Sequence, residues 1–559
     1  MIWEIKAEAR RKLTREQGTI VKDWGGRIPV ALVYANKYNV GMSNLGFQTV
    51  YGILNADDRT VCERAFWDGQ LMDGSGNAVL SIESQRELSE FAVVAFSLTF
   101  ELDYFNVVAI LRQAKIPLLA SERDERHPIV IAGGPCVIGN PEPIAPFFDA
   151  LAIGEGEVIA PQLVDALSQG ADLSRGDLLE KLANIPGVYV PSLYEVDYNA
   201  DGTVARIAPK GGRRDIAFPV VRQHVRSLDE FPVRSVVLTP DTELGDMFLI
   251  EISRGCSRGC QFCLAGFVFL PVRERSLEQI VDLAREGLRF RKRIGLVGAA
   301  TTDYSRMSEL VTRLREIGAQ VAISSLRLDS ISDDLLKALV ESGTKTITLA
   351  PEAGSERMRK LIKKRISEEQ IFRAVDMLAK WKISRLKLYY MIGLPRETIE
   401  DVEAIVKLTL EMKERLEQKR AKVSIGLNVS PFVPKAQTPF QRESMMTVPE
   451  IEDRVRRVKR GLLPHKVQVR TESAEWSEAQ GVLARGDRRL AGVLAAMERN
   501  TLSEWRRALA EAGLSADFYL RRPRPADEVL PWSVVRSGVR PGMPALEFRP
   551  IKSRALAKE

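Results

Sequence analysis

Histidine is almost missing from this chain: His127, His224 and His465 are the only three in 559 residues. That scarcity weighs against a histidine-built metal site, and no two of the three lie close in sequence. Cysteine is sparse as well, at five residues, too few for the disulfide framework of a secreted scaffold, so a reducing, cytoplasmic setting is expected. No apolar run approaches the roughly 18 residues that a membrane-spanning helix needs. The opening MIWEIKAEARRKL lacks the apolar centre of a secretory signal. Low-complexity tracts and fixed-period repeats are also missing. Neither sign of charge dominates: 81 Lys and Arg against 74 Asp and Glu leave a net +7. Such a balance permits an acidic partner or RNA without requiring one. A chain of this length with 45% hydrophobic residues fits about three or four packed domains.

Three of the five cysteines are concentrated. Cys256, Cys260 and Cys263 stand in RGCSRGCQFCLAG, a C-x-x-x-C-x-x-C run that follows the apolar stretch MFLIEIS. Thiolates this closely spaced on one loop are a common way to hold an iron–sulfur cluster. Three protein ligands on a four-iron cubane leave one iron open to an external ligand. Two plainer readings are three unrelated reduced thiols or part of a zinc site. Structural zinc takes four protein ligands, often as paired C-x-x-C or with histidine, and neither stands nearby in sequence. A 4Fe-4S cluster on these three cysteines is therefore the expected metal group.

Between about residues 245 and 432, nearly continuous apolar runs alternate with capped helical ones. The strand candidates are MFLIEIS, IGLVGAA from Ile294, QVAISSLRL from Gln320, TKTITLAPE from Thr344, RLKLYYMIG from Arg385 and KVSIGLNVS from Lys422. Runs of this kind suit strands buried on both faces of a parallel sheet. Helix starts carry capping-box chemistry at Ser276 with Gln279, Ser367 with Gln370 and Thr398 with Asp401. In the last of these helices Ile399, Val402, Val406 and Leu410 recur at helical spacing and are expected to pack on the sheet. The pattern predicts an α/β fold with a partial (β/α)6 barrel whose functional groups lie at the carboxyl ends of the strands. The cysteine loop follows the first strand and so falls on that rim.

With these motifs the chain resembles the radical S-adenosylmethionine (SAM) superfamily, over roughly residues 245 to 440. The resemblance implies that the open iron is chelated by the amino and carboxylate groups of SAM, whose cleavage yields a 5′-deoxyadenosyl radical. It implies an external electron donor such as flavodoxin or ferredoxin. It places SAM contacts at Phe262 and at Gly298 and Ala299 in the second-strand loop, where the acidic residue of the family's Gly-Gly-Glu pattern is missing. Ser325 and Arg327 at the third strand, Glu352 in APEAGSE and Gly393 in MIGLPRET complete the implied set. The plain alternative is that the charged pair make surface ion pairs of little energetic weight and the glycines relax turns.

The first 190 residues read as a second, Rossmann-like α/β unit with strands at 28–35, 91–99, 128–135 and 149–157. Strand ends rich in small residues suit a ligand crossing the carboxyl edge of an open sheet, faced by Ser97, Thr99, Gly133 and Gly134. AFSLTF, VIAGGP and AIGEGE, in that order, resemble the cobalamin-binding domain that precedes the barrel in a large radical SAM subclass. The chain departs from that pattern where the subclass carries Asp-x-His-x-x-Gly, here NKYNVGMSNLG. His127 before Pro128 does not supply the missing cobalt ligand. The domain is thus expected either to hold cobalamin without one or to hold none. Cys62 and Cys136 read as small buried residues.

Residues 191–243 form a linker, with a hairpin around Asp201-Gly202; the barrel follows over 244–440 and a helical extension over 441–559. In that extension RVRRVKRGLL sets Val455, Val458 and Leu462 on one helix face among five cations. This is read as a solvated face or, alternatively, a footprint for RNA. The Pro-rich stretch RRPRPADEVLPW reads as an extended arm. Taken together, CSRGCQFC, APEAGSER, GLPRET, SPFVPK and ARGDRR resemble a bacterial radical SAM group with this amino-terminal domain. The implied function is radical SAM catalysis, as a cobalamin-dependent methyltransferase acting on an unactivated carbon. The alternatives are a cobalamin-independent enzyme modifying RNA or another substrate, and a non-catalytic cluster-bearing sensor or scaffold. RNA methylthio-transferring relatives carry extra amino-terminal cysteines, for which Cys62 and Cys136 are too few.

Overall fold

The computed structural model describes residues 2–69, 72, 78–323, 326–381 and 383–537. Apolar runs in the first third become the strands of one sheet: β1 (Ile28–Tyr34), β2 (Thr60–Phe66), β3 (Val93–Ser97), β4 (Ile129–Gly133), β5 (Ala150–Ala152) and β6 (Val188–Tyr189). Their order is β2-β1-β3-β4-β5-β6, with β6 alone antiparallel. The four expected strands are present, and β2 and β6 add to them. The signal of β2 is weak because Glu63 and Arg64 interrupt its apolar run. Inside the fold Arg64 is fully buried yet paired, at 2.7 Å to both Glu16 and Glu83, as a buried cation must be.

The expected hairpin forms as β7 (Tyr194–Tyr198) and β8 (Val204–Pro209). A short β9 (Val220–Val221) follows, and then β10 (Phe248–Glu251) opens the second unit. Next come β11 (Ser253–Arg254) and β12 (Arg273–Glu274), which pair antiparallel as a small clasp. The remaining strands are β13 (Arg293–Val297), β14 (Gln320–Ile323), β15 (Thr346–Glu352), β16 (Arg385–Ile392), β17 (Ser424–Pro431), β18 (Gln468–Thr471) and β19 (Val535–Arg536). Parallel sheets β10-β13-β14 and β15-β16-β17-β18 meet through one bridge between Leu326 and Leu349, giving an open, partial barrel. Its seventh strand, β18, comes from the region read as helical. QVRT is too short and too polar to announce itself, but it completes the ladder beside β17.

Alternation in β16 sets Leu386, Leu388, Tyr390 and Ile392 into the core beneath the outer helices, leaving Lys387, Tyr389 and Met391 on the opposite face. The three expected helix caps form: Ser276 accepts from Gln279 N, and Ser367 and Thr398 close full capping boxes. The helix Ile399–Gln418 is rotated relative to expectation. Val402, Ile405, Leu408 and Met412 are its buried stripe, whereas Val406 lies beside Gly461 of the helix Val448–Leu462. That basic helix buries Ile451, Val458 and Leu462. Its arginines are largely paired: Arg454 with Glu397, and Arg456 and Arg457 with Asp453.

The ARGDRR stretch clips the extension to the amino-terminal unit and to the linker hairpin. Buried Arg485 donates to the carbonyls of Gln441, Glu443 and Tyr519. Asp487 accepts from Arg489 and from the Tyr198 and Tyr519 hydroxyls. Arg488 reaches Glu142 at 2.8 Å and the Tyr189 hydroxyl at 2.8 Å. The Pro-rich arm returns to pair β19 with β9. Among the described residues no helix is long and apolar enough to cross a membrane.

Candidate functional site

The cysteine loop is built on the β11–β12 clasp. Gly255 enters it at φ +84°, and a Cβ there would stand 2.7 Å from the Phe269 carbonyl, so only glycine fits. Cys256 and Cys263 are half-buried and Cys260 is buried. Gln261 pins the loop from inside: its amide donates to the Ile362 carbonyl at 3.0 Å, and its side chain to the Leu361 carbonyl at 2.8 Å. Burial pushes the Cys263 thiol up to about 11 and raises Cys260 as well. Cys260 and Cys263 as bare thiols therefore favour the protonated form, and a metal group must displace those protons. Among the described residues no three His, Cys, Asp or Glu side chains are placed to hold a single metal ion. Three thiols on one loop with no histidine are a donor set suited to an iron–sulfur cluster rather than to zinc. His127 lies before the start of β4, at the opposite edge of its sheet, and bonds Asp124.

The implied SAM residues surround this loop. Arg327 and Glu352 are both ion-paired: Arg327 to Asp329 at 3.1 Å and Asp303 at 3.6 Å, Glu352 to the buried Lys364 at 3.0 Å. Glu352 closes β15 at φ +69°. Arg258, from within the cysteine loop, spans to Asp303 at 2.7 Å and Asp329 at 2.9 Å and so ties the loop to the ends of the second and third strands. Gly298 follows β13 against β11; a Cβ there would meet the Ser253 hydroxyl at 2.6 Å. Its carbonyl accepts from the Thr301 hydroxyl, while Ala299 lies beside it on the same loop. Phe262 packs with Leu394, Phe432 and Phe440. Gly393, at φ +77°, donates its amide to Glu397, whose carboxyl burial pushes up to about 7. Ser325 lies outside the described residues.

A cavity of about 590 Å³ separates the amino-terminal sheet from this rim. Ser97, Thr99, Gly133 and Gly134 line it at the carboxyl ends of β3 and β4. It continues as an apolar slot between the sheet and the helices Leu45–Ala56 and Gly156–Gln169, reaching Val93 and Leu167. Its opposite wall is the barrel rim, including Arg254, Gly255, Ala265, Gly298 and Ala299. Gly134 adopts φ +116°, and a Cβ would fall 2.4 Å from the Leu98 carbonyl. Thr99 bonds the Tyr34 hydroxyl at 2.8 Å. Asn44, in the stretch that replaces Asp-x-His-x-x-Gly, lines the cavity and caps the helix behind it by accepting from Phe47 N. Among the described residues no histidine lines the cavity.

The residues that join the two walls escaped the sequence reading. Glu155, in AIGEGE, accepts from Arg254 at 2.8 Å and Arg273 at 2.7 Å; Glu157 accepts from Arg254 at 2.7 Å. Burial raises the Glu155 carboxyl, but Arg273 and Arg254 offset this and hold it below its usual range. A second bridge joins buried Glu101, in AFSLTFE, to Lys435 of SPFVPK at 2.7 Å, with Gln480 donating at 2.9 Å. The signal was present: carboxylates at strand ends, inside motifs valued only as fold markers. Cys62 and Cys136 are buried in the amino-terminal sheet unit, on β2 and just after β4.

Comparison with known proteins accords with this geometry. The family model for the Radical SAM superfamily matches residues 250–409, and that for Radical SAM proteins, N-terminal, matches residues 46–191. An uncharacterized protein of Methanocaldococcus jannaschii is 31% identical over 468 residues, covering 83% of this chain and 90% of its own. An uncharacterized methyltransferase of Pyrococcus horikoshii is 27% identical over 295 residues, 51% of this chain and 58% of its own. Among solved structures, the radical SAM methyltransferase TsrM of Kitasatospora setae, with cobalamin and a [4Fe-4S] cluster bound, aligns at 15% identity and TM-score 0.45 over 75% of this chain and 74% of its own. The chain is a member of the radical S-adenosylmethionine superfamily.

Proposed function

We propose that this enzyme is a cobalamin-dependent radical SAM methyltransferase acting on an unactivated carbon, with the corrin held between the amino-terminal sheet and the barrel rim. One observation carries the reading: the cavity of about 590 Å³ is bounded by Ser97, Thr99, Gly133 and Gly134 on one wall and by the cysteine loop and Gly298 on the other. The small residues leave the sheet edge flat enough for a broad ring. The apolar slot beneath them suits a buried tail. Among the described residues no histidine lines the cavity, so a corrin held there would receive no imidazole from the chain.

When bound, the cluster and SAM supply a carbon-centred radical and cobalamin supplies a methyl group. The chain's own residues bind and orient. Cys256, Cys260 and Cys263 hold the cluster. Arg258, Asp303 and Asp329 fix its loop against the strand ends. Phe262, Gly298, Ala299, Arg327, Glu352 and Gly393 surround the position for SAM.

Anaerobic reconstitution followed by mass spectrometry tests this reading. The expected result is bound corrin, 5′-deoxyadenosine and S-adenosylhomocysteine. Protein that cleaves SAM but shows no corrin absorbance would refute the cobalamin part and return the chain to the cobalamin-independent alternative.

A further inference from the structure

We propose that Ser257, Arg258 and Gly259 of the cysteine loop, with Lys363 and Arg365, form the docking surface for an acidic one-electron carrier protein. The inference rests on the reading that the three cysteines hold a redox cluster. Ser257 is exposed at the loop tip, and open space surrounds the Cβ position of Gly259. This is the outward edge of the metal-binding loop. Lys363 is adjacent to it: its carbonyl lies 4.0 Å from the Cys260 sulfur. A cleft of about 480 Å³ opens along this edge, lined by Ser257, Arg258 and Lys363 to Arg365 on the basic side and by Asp303 opposite.

The charges there are not all equivalent. Arg258 is met by Asp303 and Asp329, and Lys364 turns inward to Glu352. Lys360 pairs with Glu356 on the neighbouring helix. Lys363 and Arg365 are exposed and make no ion pair among the described residues. Both adopt left-handed backbone, at φ +55° and +50°, a conformation that non-glycine residues enter only at a cost. Those two turns send Lys364 inward and leave its two neighbours in solvent. The result is a pair of uncompensated cations beside the site where an electron must enter. Such a patch steers an acidic partner and sets its orientation. An RNA ligand fits less well, because none of the described residues lining the cleft is aromatic, and a base finds no stacking surface there.

In the proposed encounter one electron leaves the reduced carrier, which is oxidised by one equivalent, and enters the cluster, which is reduced by one. No covalent bond or proton is exchanged between them. The test uses the full-length reconstituted protein and flavodoxin as the acidic carrier. For Lys363→Glu/Arg365→Glu, flavodoxin affinity measured calorimetrically at low salt is expected to weaken at least tenfold, and the difference from wild type to vanish at high salt. Flavodoxin-driven formation of 5′-deoxyadenosine should fall in parallel, while dithionite-driven formation stays unchanged. Lys459→Glu/Arg460→Glu, the same charge change on the distant helix, should bind flavodoxin as wild type does. Unchanged affinity in the first variant, or equal losses in both, would overturn the proposal, as would displacement of flavodoxin by single-stranded RNA at matched ionic strength. Wild-type protein that fails to cleave SAM with dithionite would overturn the cluster reading instead, and the binding titration keeps the two failures apart.

Discussion

Glu155 and Arg254 form a 2.8 Å ion pair that crosses from the amino-terminal sheet to the first residues of the cysteine loop. Arg273, donating to the same carboxylate at 2.7 Å, anchors the far strand of the clasp. One buried carboxylate thus fixes both ends of the metal-binding loop against the wall of the cavity.

Glu155→Gln should leave buried Arg273 without its carboxylate, while Arg254 keeps only Glu157 and Glu251. Losing one member of a buried pair costs about 3–5 kcal/mol, so thermal unfolding is expected to occur well below the wild-type midpoint. Iron retention after desalting should fall with it. A variant that unfolds with wild type and keeps its iron would show that the pair fixes nothing.

The same carboxylate makes an acid limit. Its folded-state pKa lies below the ordinary 4.5, so its contribution is fully present above that value and is lost as pH falls through the lower, folded one. Stability of wild type and Glu155→Gln, measured by denaturant unfolding across the acid range, should therefore converge as pH drops. A constant gap at every pH would exclude the linkage.

Each of Cys256→Ala, Cys260→Ala and Cys263→Ala removes one of three thiolates from a centre with no spare protein ligand on its loop. Cluster absorbance and 5′-deoxyadenosine formation should both disappear in each variant. Persistence of cleavage in any one would contradict the ligand assignment.

Ala95→Trp places an indole in the cavity lining, where Ala95 is half-buried. Corrin binding, followed by absorbance, is expected to be lost while iron content stays at the wild-type level. Retained corrin with wild-type affinity would move the proposed site elsewhere.

Arg488→Ala strips the charged partner from Glu142, which is 1% exposed. The remaining Tyr189 hydroxyl, bonded at 2.6 Å, does not neutralise it. A loss on the order of 3 kcal/mol follows from an uncompensated buried charge, with faster proteolytic release of the carboxyl-terminal extension as a second readout.

The barrel was legible because parallel strands buried on both faces write themselves as apolar runs, and because Ser276, Ser367 and Thr398 mark where their helices begin. Strands β2 and β18 were not. In β2 the interior positions include Glu63, which accepts from Trp24 and Ser84, and Arg64, which pairs with Glu16 and Glu83, all outside the strand. In β18 only four polar-leaning residues join an existing ladder. The cysteines declared their chemistry through spacing alone. Glu155, Glu101 and Arg254 did not, since an ion pair between units 97 or more residues apart leaves no periodic trace. ARGDRR could be seen as a motif, but its role as a clip required knowing that Glu142 and Tyr189 stand opposite.

Two glycines set a length scale at the heart of the molecule. Side chains are excluded from Gly154, where a Cβ would fall 2.5 Å from the Gln223 carbonyl, and from Gly255, where one would fall 2.7 Å from that of Phe269. Main chain therefore touches main chain on either side of the gap between sheet edge and cysteine loop. Each wall is thus packed at polypeptide thickness where these glycines stand, a spacing that any added side chain there would force apart.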